Sequence, residues 1–412
     1  MKKIVVLFVL IQSTMVFAAS ETMAEKKANE PIKFSVSIGA EYTDNRDALP
    51  DADKESNIDL FITPRLALDL KWEETTMILG YAPTFRYRTD PSIIQNDSQL
   101  YHDLALAFTH SPSRNLKLRF VENFNLTDDP SVQQNGSTLR RDSSFILNQT
   151  EAGMTYTFSR LSNVDVFGRY LVKSYDDADV AREADEDRME AGVTLWHQPG
   201  KQFALIGLVN YGKYGYEEYL GTDRGFDSVN IGAGLEEVIS PNFRFGLRAG
   251  IQNISYASDS MESESAPFGS FSAQISTIPS TRITATISRM IREAFLFPFS
   301  SQESTDVGLR LDWDAPIPEL RFGLSGTYRM GDYKSDKIPS ALLADYLNGA
   351  YADAYGANTQ GQEDSVIVAG EVSFQIGLGT KIKFVQTYEK MDSDVRWSYN
   401  RNASSIMLTR EF

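Results

Sequence analysis

Along most of this chain every second residue is apolar. The clearest run sets Ile58, Leu60, Ile62, Pro64, Leu66, Leu68 and Leu70 against Asp59, Phe61, Thr63, Arg65, Ala67 and Asp69. The next sets Met77, Leu79, Tyr81, Pro83, Phe85 and Tyr87 against Thr76, Gly80, Thr84, Arg86 and Arg88. Successive side chains on a strand point to opposite faces, so each segment has one apolar side and one polar side. A soluble sandwich would hide its apolar sides between two sheets and rarely needs strands this long. Segments of roughly ten to fourteen residues suit tilted strands crossing the hydrocarbon of a bilayer. The pattern predicts a single transmembrane antiparallel β-barrel.

Turn chemistry sets the strand count. Tight turns are predicted near 71–75, 111–115, 159–163, 198–202, 240–242, 279–281, 315–319 and 377–380. Longer, mostly acidic connections fall near 45–55, 89–98, 128–142, 176–187, 217–226, 257–267, 294–302, 331–364 and 392–397. The strict alternation gives about 18 strands, the first over 33–43, with both ends of the barrel on the short-turn, periplasmic side. Pro64 and Pro83 sit inside neighbouring strands and predict a bulge or local break, because each lacks a ladder donor. Two segments leave the register open. In 143–158, either Ile146, Met154, Tyr156 and Phe158 or Phe145 and Leu147 form the lipid face, and 203–216 begin apolar on both faces. After Pro339-Ser340, helical spacing of Leu342, Leu343, Tyr346, Leu347, Ala350, Tyr351 and Tyr355 predicts a short helix, over the barrel mouth or on a surface loop.

The two ends agree with a secreted barrel. Lys2 and Lys3 precede an apolar run over 4–10 that continues more weakly to Phe17, and Ala18, Ala19 and Ser20 follow. This predicts a signal peptide over 1–19, a short periplasmic leader over 20–32 and an outer-membrane barrel over 33–412. No plug domain fits ahead of the first strand. Cysteine is absent, which excludes a lipoprotein, a disulfide framework and a thiolate metal site. No later stretch approaches a helical membrane span. Residues 406–412 alternate and end on Phe412. That resembles the terminal strand of bacterial outer-membrane barrels, whose final aromatic is read by the insertion machinery, although Arg410 stands where a second aromatic is common. The expected location is the bacterial outer membrane. The expected partners are its lipid and lipopolysaccharide, and the insertion machinery through Phe412.

Composition, 42% hydrophobic with mean hydropathy −0.30, is that of a soluble protein. A barrel shows lipid only one residue in two. The net charge of −16 becomes two units more negative when Lys2 and Lys3 leave with the signal. Such a surplus of acid excludes a nucleic-acid partner. The acid gathers in the long connections, as at Asp176, Asp177, Asp179, Glu183, Asp185, Glu186 and Asp187, where it either solvates a loop or binds divalent cations at the cell surface.

With the apolar faces outward, the candidate pore-lining residues are Arg65, Arg86, Arg119, Arg248, Arg310 and Arg329, among carboxylates that include Asp59, Asp103, Asp165, Glu236 and Asp306. A barrel of this size encloses water unless something fills it. The charged rows either pair across strands and stiffen the wall, or the arginines select anionic or polyhydroxylated solutes. Small inward residues (Gly232, Gly234, Gly246, Gly250, Ser270, Ser272, Ser276) predict one open arc of lumen.

Catalytic chemistry finds no foothold. Of three histidines, His102 falls on an outward face, and His110 and His197 flank periplasmic turns. Asp51, Asp53 and Glu55 alternate as calcium ligands might be sought but lack the EF-hand spacing and glycine. No phosphate loop, dinucleotide fingerprint or zinc spacing occurs. No enzyme activity, cofactor or metal is expected.

The start of the barrel carries a more specific likeness. Tyr42-Thr43-Asp44-Asn45-Arg46 closes the first strand, Ile62-Thr63-Pro64-Arg65-Leu66 follows an acidic loop, and Gly80-Tyr81 and Tyr87 come next. This resembles the outer-membrane porin family called beta-barrel porin 2, whose members share a "DN" after the first strand and a similar length. The resemblance implies a barrel without enzyme activity or cofactor. Some members are associated with exopolysaccharide secretion. The functional expectation is therefore a water-filled conduit, in its finer form the outer-membrane exit for exopolysaccharide, working with a periplasmic export protein. Tyr214, Tyr216, Tyr219, Tyr346, Tyr351 and Tyr355 would guide the sugar, unless they belong to the interfacial girdle. The alternatives are a general or anion-preferring nutrient-uptake porin and a non-conducting adhesive barrel.

Overall fold

In the computed structural model, residues 31–90, 97–128, 144–200, 202–219, 221–278, 280–294, 296–343, 358–377 and 379–412 are described. Strands β1 (Ile32–Thr43), β2 (Asn57–Lys71), β3 (Thr75–Arg88), β4 (Ser98–Ser113), β5 (Leu116–Thr127) and β6 (Phe145–Thr157) form the first third of the wall. β7 (Ser162–Tyr175), β8 (Glu186–His197), β9 (Phe203–Tyr216), β10 (Phe226–Ser240), β11 (Phe243–Tyr256) and β12 (Glu264–Ile278) form the second. β13 (Thr281–Glu293), β14 (Ser301–Asp314), β15 (Leu320–Tyr333), β16 (Gly361–Gln375), β17 (Thr380–Ser393) and β18 (Tyr399–Glu411) complete it. Each strand pairs antiparallel with the next, and β18 returns to β1, with Ile38 opposite Ile62 on one side and Leu408 on the other. Closure removes the strand edges that lipid cannot satisfy.

The alternation in the sequence is the alternation of the wall. Ile38, Ile62, Phe85 and Leu100 make one outward row across β1 to β4, all exposed, while Gly39, Phe61 and Arg86 face in. Val209, Ile231, Leu247, Ile287, Leu309, Leu324, Val368 and Ile406 continue the apolar belt around the barrel. No helix among the described residues is long and apolar enough to cross a membrane. The strands do the crossing. A closed barrel of 18 antiparallel strands with an apolar outer belt, short turns at one end and long loops at the other is a bacterial outer-membrane protein.

All the predicted turns and loops fall between the strands expected, and the first strand begins at Ile32, one residue early. The signal peptide and most of the leader lie outside the described residues. The acidic connection over 176–185 holds an unforeseen helix, α1 (Ala178–Ala184). A helix also starts at Ser340, as the spacing predicted, but its continuation with Tyr346, Leu347, Tyr351 and Tyr355 lies outside the described residues.

Of the two outcomes expected at the prolines, the structure shows the local break and not the bulge. Pairing between β2 and β3 lapses around them, yet Ile62 faces Phe85 on one side and Leu66 faces Tyr81 on the other in the same register. There is no bulge, because Pro64 and Pro83 sit opposite each other and both strands lose their donors at one rung. The Thr63 and Thr84 hydroxyls bridge the gap from inside at 2.8 Å. The open registers are also decided. Ile146, Met154 and Tyr156 face lipid, whereas Phe145 and Leu147 face inward and pack on Val180 of α1. In β9, Leu205 and Val209 are outward, and Ile206 and Leu208 are inward and buried.

Candidate functional site: the lumen and its mouth

A ladder of ion pairs lines one side of the lumen. Arg119 of β5 donates to both Asp165 oxygens at 2.5 and 2.8 Å and to Glu151 at 3.3 Å. Arg169 links Glu151 at 2.7 Å to Glu190 at 3.1 Å, and Arg188 reaches Glu293 of β13 at 2.8 Å. Elsewhere Arg292 and Arg329 share Asp306, and Arg401 pairs with the buried Glu389. Such fork-to-carboxylate bonds hold neighbouring strands at a fixed spacing.

All six candidate arginines lie on the inward face, but in two different situations. Arg86 is held by Asp59 at 2.9 Å, Arg119 by Asp165, Arg329 by Asp306 at 2.6 Å, and Arg65 lies within electrostatic reach of Asp103. Arg248, bound to Glu236 at 3.0 Å, and Arg310, bound to Asp312 at 2.7 Å, keep 31% and 52% of their side-chain surface exposed. Arg248 and Arg310 thus present more side-chain surface to the lumen than Arg86, Arg119 and Arg329, at 17%, 16% and 14%. Towards the periplasmic end, Arg244 donates to the neutral Gln274 at 3.1 Å and lies near Arg282, which is exposed. Across the lumen Lys381 lies near Lys383 and Arg321.

At the extracellular end, described loop residues pack into one buried cluster. Ala294, Leu296, Phe297 and Phe299 of the β13–β14 connection bury together with Tyr333, Ile338, Leu342 and Val395, which come from two further loops and a strand end. Arg224, buried in the β9–β10 loop, ties this cluster to the far wall. It donates to Phe299 O at 3.1 Å and to Glu183 O of α1 at 2.6 Å, with its guanidinium over the Tyr216 and Phe297 rings. Burial pulls the Arg224 pKa below the ordinary arginine range. Tyr216 donates to Ser300 O at 3.2 Å, and Tyr256 meets the Ser301 hydroxyl at 2.6 Å. The first and last loops interlock beside it, where Asn45 donates to Leu49 O at 2.7 Å and Asn400 O at 2.9 Å.

The sequence pointed to one part of this plug, the helix start at Ser340 whose Leu342 is buried in it, and missed the rest. Arg224 and Glu293 stand at a loop and a strand end, where no period marks orientation. A further signal was the set of inward apolar residues Phe145, Leu147, Ile206, Leu208 and Ile254, which a water-filled lumen would not need. The expected open arc is also corrected. The Phe268 ring lies against Gly232 and Gly250, and Arg248 lies against Gly234, so the small residues make room for neighbouring large ones. Tyr214 and Tyr216 are not free to guide sugar. Tyr214 stacks on Phe226 at 4.4 Å and reaches Glu190, and Tyr216 anchors the plug. In the acidic connection Asp177 accepts from Val180 N and Asp185 from Tyr175 N, as a loop stabilising itself. Asp51 pairs with Lys54 and Glu55 with Arg46. Among the described residues no group of three or more His, Asp or Glu side chains is placed to hold a metal ion.

A closed barrel of this strand number with a polar inner face has the architecture of a porin. No family model matches the chain, and no curated protein matches it. Among solved structures it is similar to the outer membrane protein OpdK of Pseudomonas aeruginosa, at 11% identity and TM-score 0.49, over 92% of this chain and 99% of that one. It is also similar to that organism's OprD, at 11% and 0.47 over 93% and 94%, and to its siderophore receptor PirA, at 9% and 0.48 over 93% and 80%.

Proposed function

We propose that this protein is a passive outer-membrane channel for small anionic solutes. The observation that carries the reading is the basic surface left towards the periplasmic half of the lumen. Arg248, Arg310 and Arg282 are accessible there, although Arg248 and Arg310 each hold one carboxylate, and Arg244 and Lys381 have like-charged neighbours, whereas Arg86, Arg119 and Arg329 are bound into the wall. Charge lining a water-filled constriction selects the opposite sign. The plug at the mouth sets the size. Phe299, Tyr333 and Leu342 are fully buried where a polymer would have to leave, which favours a small solute over exopolysaccharide. The family resemblance keeps polysaccharide export as the second reading, and the two readings differ in one measurement. Planar-bilayer recording of the purified barrel should give a small, anion-preferring conductance, and a gene knockout should leave surface polysaccharide unchanged. A silent barrel, or loss of surface polysaccharide in the knockout, would reverse the assignment.

A further inference from the structure

Neighbouring strands pair nearly to their loop ends around the wall, except at one place. The β11–β12 ladder runs to Glu264 opposite Ile254, and the β13–β14 ladder runs to Glu293 opposite Ser301. Between them, the β12–β13 ladder goes no higher than Gly269 opposite Arg289. Residues 264–268 and 290–293 part company. Above that rung β13 leans into the lumen, where the Gln252 carboxamide of β11 takes both backbone groups of Ile291. Its Nε2 donates to Ile291 O at 2.8 Å and its Oε1 accepts from Ile291 N at 3.0 Å. Ile291 packs on Phe226 and Ile254 beside Ala266.

The parting lies at the upper rim of the apolar belt, with Ile291 buried behind it and Ala266 packed against its cluster. Ile251 and Pro267 are exposed outward beside it, and two residues higher Asn253 and Ser265 are polar and bonded to each other at 2.5 Å. On the inside, Phe268 leans away from β13 over Gly250 and Gly232. The rung just below carries a polar ledge, with Arg248 opposite Ser270 and Ser270 opposite Ser288. Lipid offers no hydrogen bonds to a parted strand pair, so a built-in parting needs a substitute partner, and Gln252 supplies it.

We propose that this parting is a lateral portal through which amphiphiles with one anionic head and an alkyl body pass between the lumen and the outer leaflet. The head rests on the Arg248 ledge while the body leaves between Pro267 and Met290. The portal rests on the anion-accepting lumen proposed above, and it gives an alkyl-bearing anion a route that the narrow axial mouth does not.

The chain contains no cysteine, so Pro267→Cys with Ile291→Cys, register partners if the ladder continued, can be closed by oxidation. Gly269→Trp blocks the foot of the parting independently, since a β-carbon there meets only Arg248 O at 3.6 Å. Cells expressing the unmodified barrel should take up dodecanoate. The oxidised pair and Gly269→Trp should each slow this about tenfold while chloride conductance in planar bilayers stays within about twofold. Unchanged dodecanoate uptake in Gly269→Trp overturns the portal, and so does joint loss of uptake and conductance, which places the effect in the axial pore. An unmodified barrel that conducts chloride but takes up no dodecanoate overturns the portal alone. One that conducts nothing overturns the channel reading.

Discussion

Gln252 and Ile291 are bonded as strand partners although they lie on strands that are not neighbours. The side-chain amide of Gln252 presents one donor and one acceptor at the spacing of a peptide unit, and it is almost fully buried. Replacing it by Leu leaves the Ile291 N–H and C=O without these partners, at a cost of about 2 kcal/mol or more. Amide exchange at Ile291 should accelerate in Gln252→Leu. Gln252→Glu keeps the acceptor alone and should fall between Leu and the natural residue. Equal exchange in all three would show that packing on Ile254 holds the strand by itself.

Arg224 joins three loops through two carbonyl oxygens and two rings. A methionine at this position keeps the volume and removes the donors, so Arg224→Met should loosen the mouth and raise single-channel conductance. Lysine cannot reach both carbonyls as a planar fork does, and Arg224→Lys should resemble Met. A conductance equal to that of the natural barrel in both variants would place the constriction elsewhere.

The inward arginines should divide into two functional groups. Replacing Arg248, Arg282 and Arg310 together by Gln should move the zero-current potential towards cation preference with little loss of stability. Arg119→Gln leaves the buried Asp165 without its cation, with only the Thr155 hydroxyl, while Glu151 keeps Arg169, and should cost roughly 3–5 kcal/mol. Urea unfolding in detergent separates this from selectivity, which Arg119→Gln should leave nearly unchanged.

Asp44 and Asn45 close the seam between the two ends of the barrel. Asp44 accepts from Asn402 N at 2.7 Å and Asn402 Nδ2 at 2.8 Å, while Asn45, fully buried, bonds both backbone groups of Leu49 and reaches Asn400 O. Asn45→Ala should therefore lower the temperature at which the folded band is lost on unheated gels. The cost is about 2 kcal/mol from unpaired buried groups. An unshifted transition would show that the strand pairing alone carries the seam.

Pro64 and Pro83 face lipid at one rung with their ladder interrupted. Changing both to Val restores two donors without altering the register, and the pair should gain about 1–3 kcal/mol in urea unfolding. A loss of stability would mean that the lapse relieves strain in the wall.

Period-two alternation and turn chemistry were enough to define the strands, the membrane location and the faces of all but the segments over 143–158 and 203–216. A strand's side-chain direction follows from position alone, and lipid enforces that rule on every rung of the outer belt. The inward direction of Arg65, Arg86, Arg119, Arg248, Arg310 and Arg329 was legible for the same reason. Which of them meet water was not, because a carboxylate such as Asp165 lies 46 residues from Arg119 and becomes its neighbour only through strand register. Of the mouth, local pattern reached only the helix start with Leu342. Arg224, Phe299, Tyr333 and Val395 sit in loops or at a strand end and meet only after the barrel has closed. The parting of β12 from β13 has a mark in each strand, Pro267 without a ladder donor in β12 and Arg289 on the outward face of β13, but neither tells which way β13 turns. Only the competing partner, Gln252 on β11, decides that β13 turns inward.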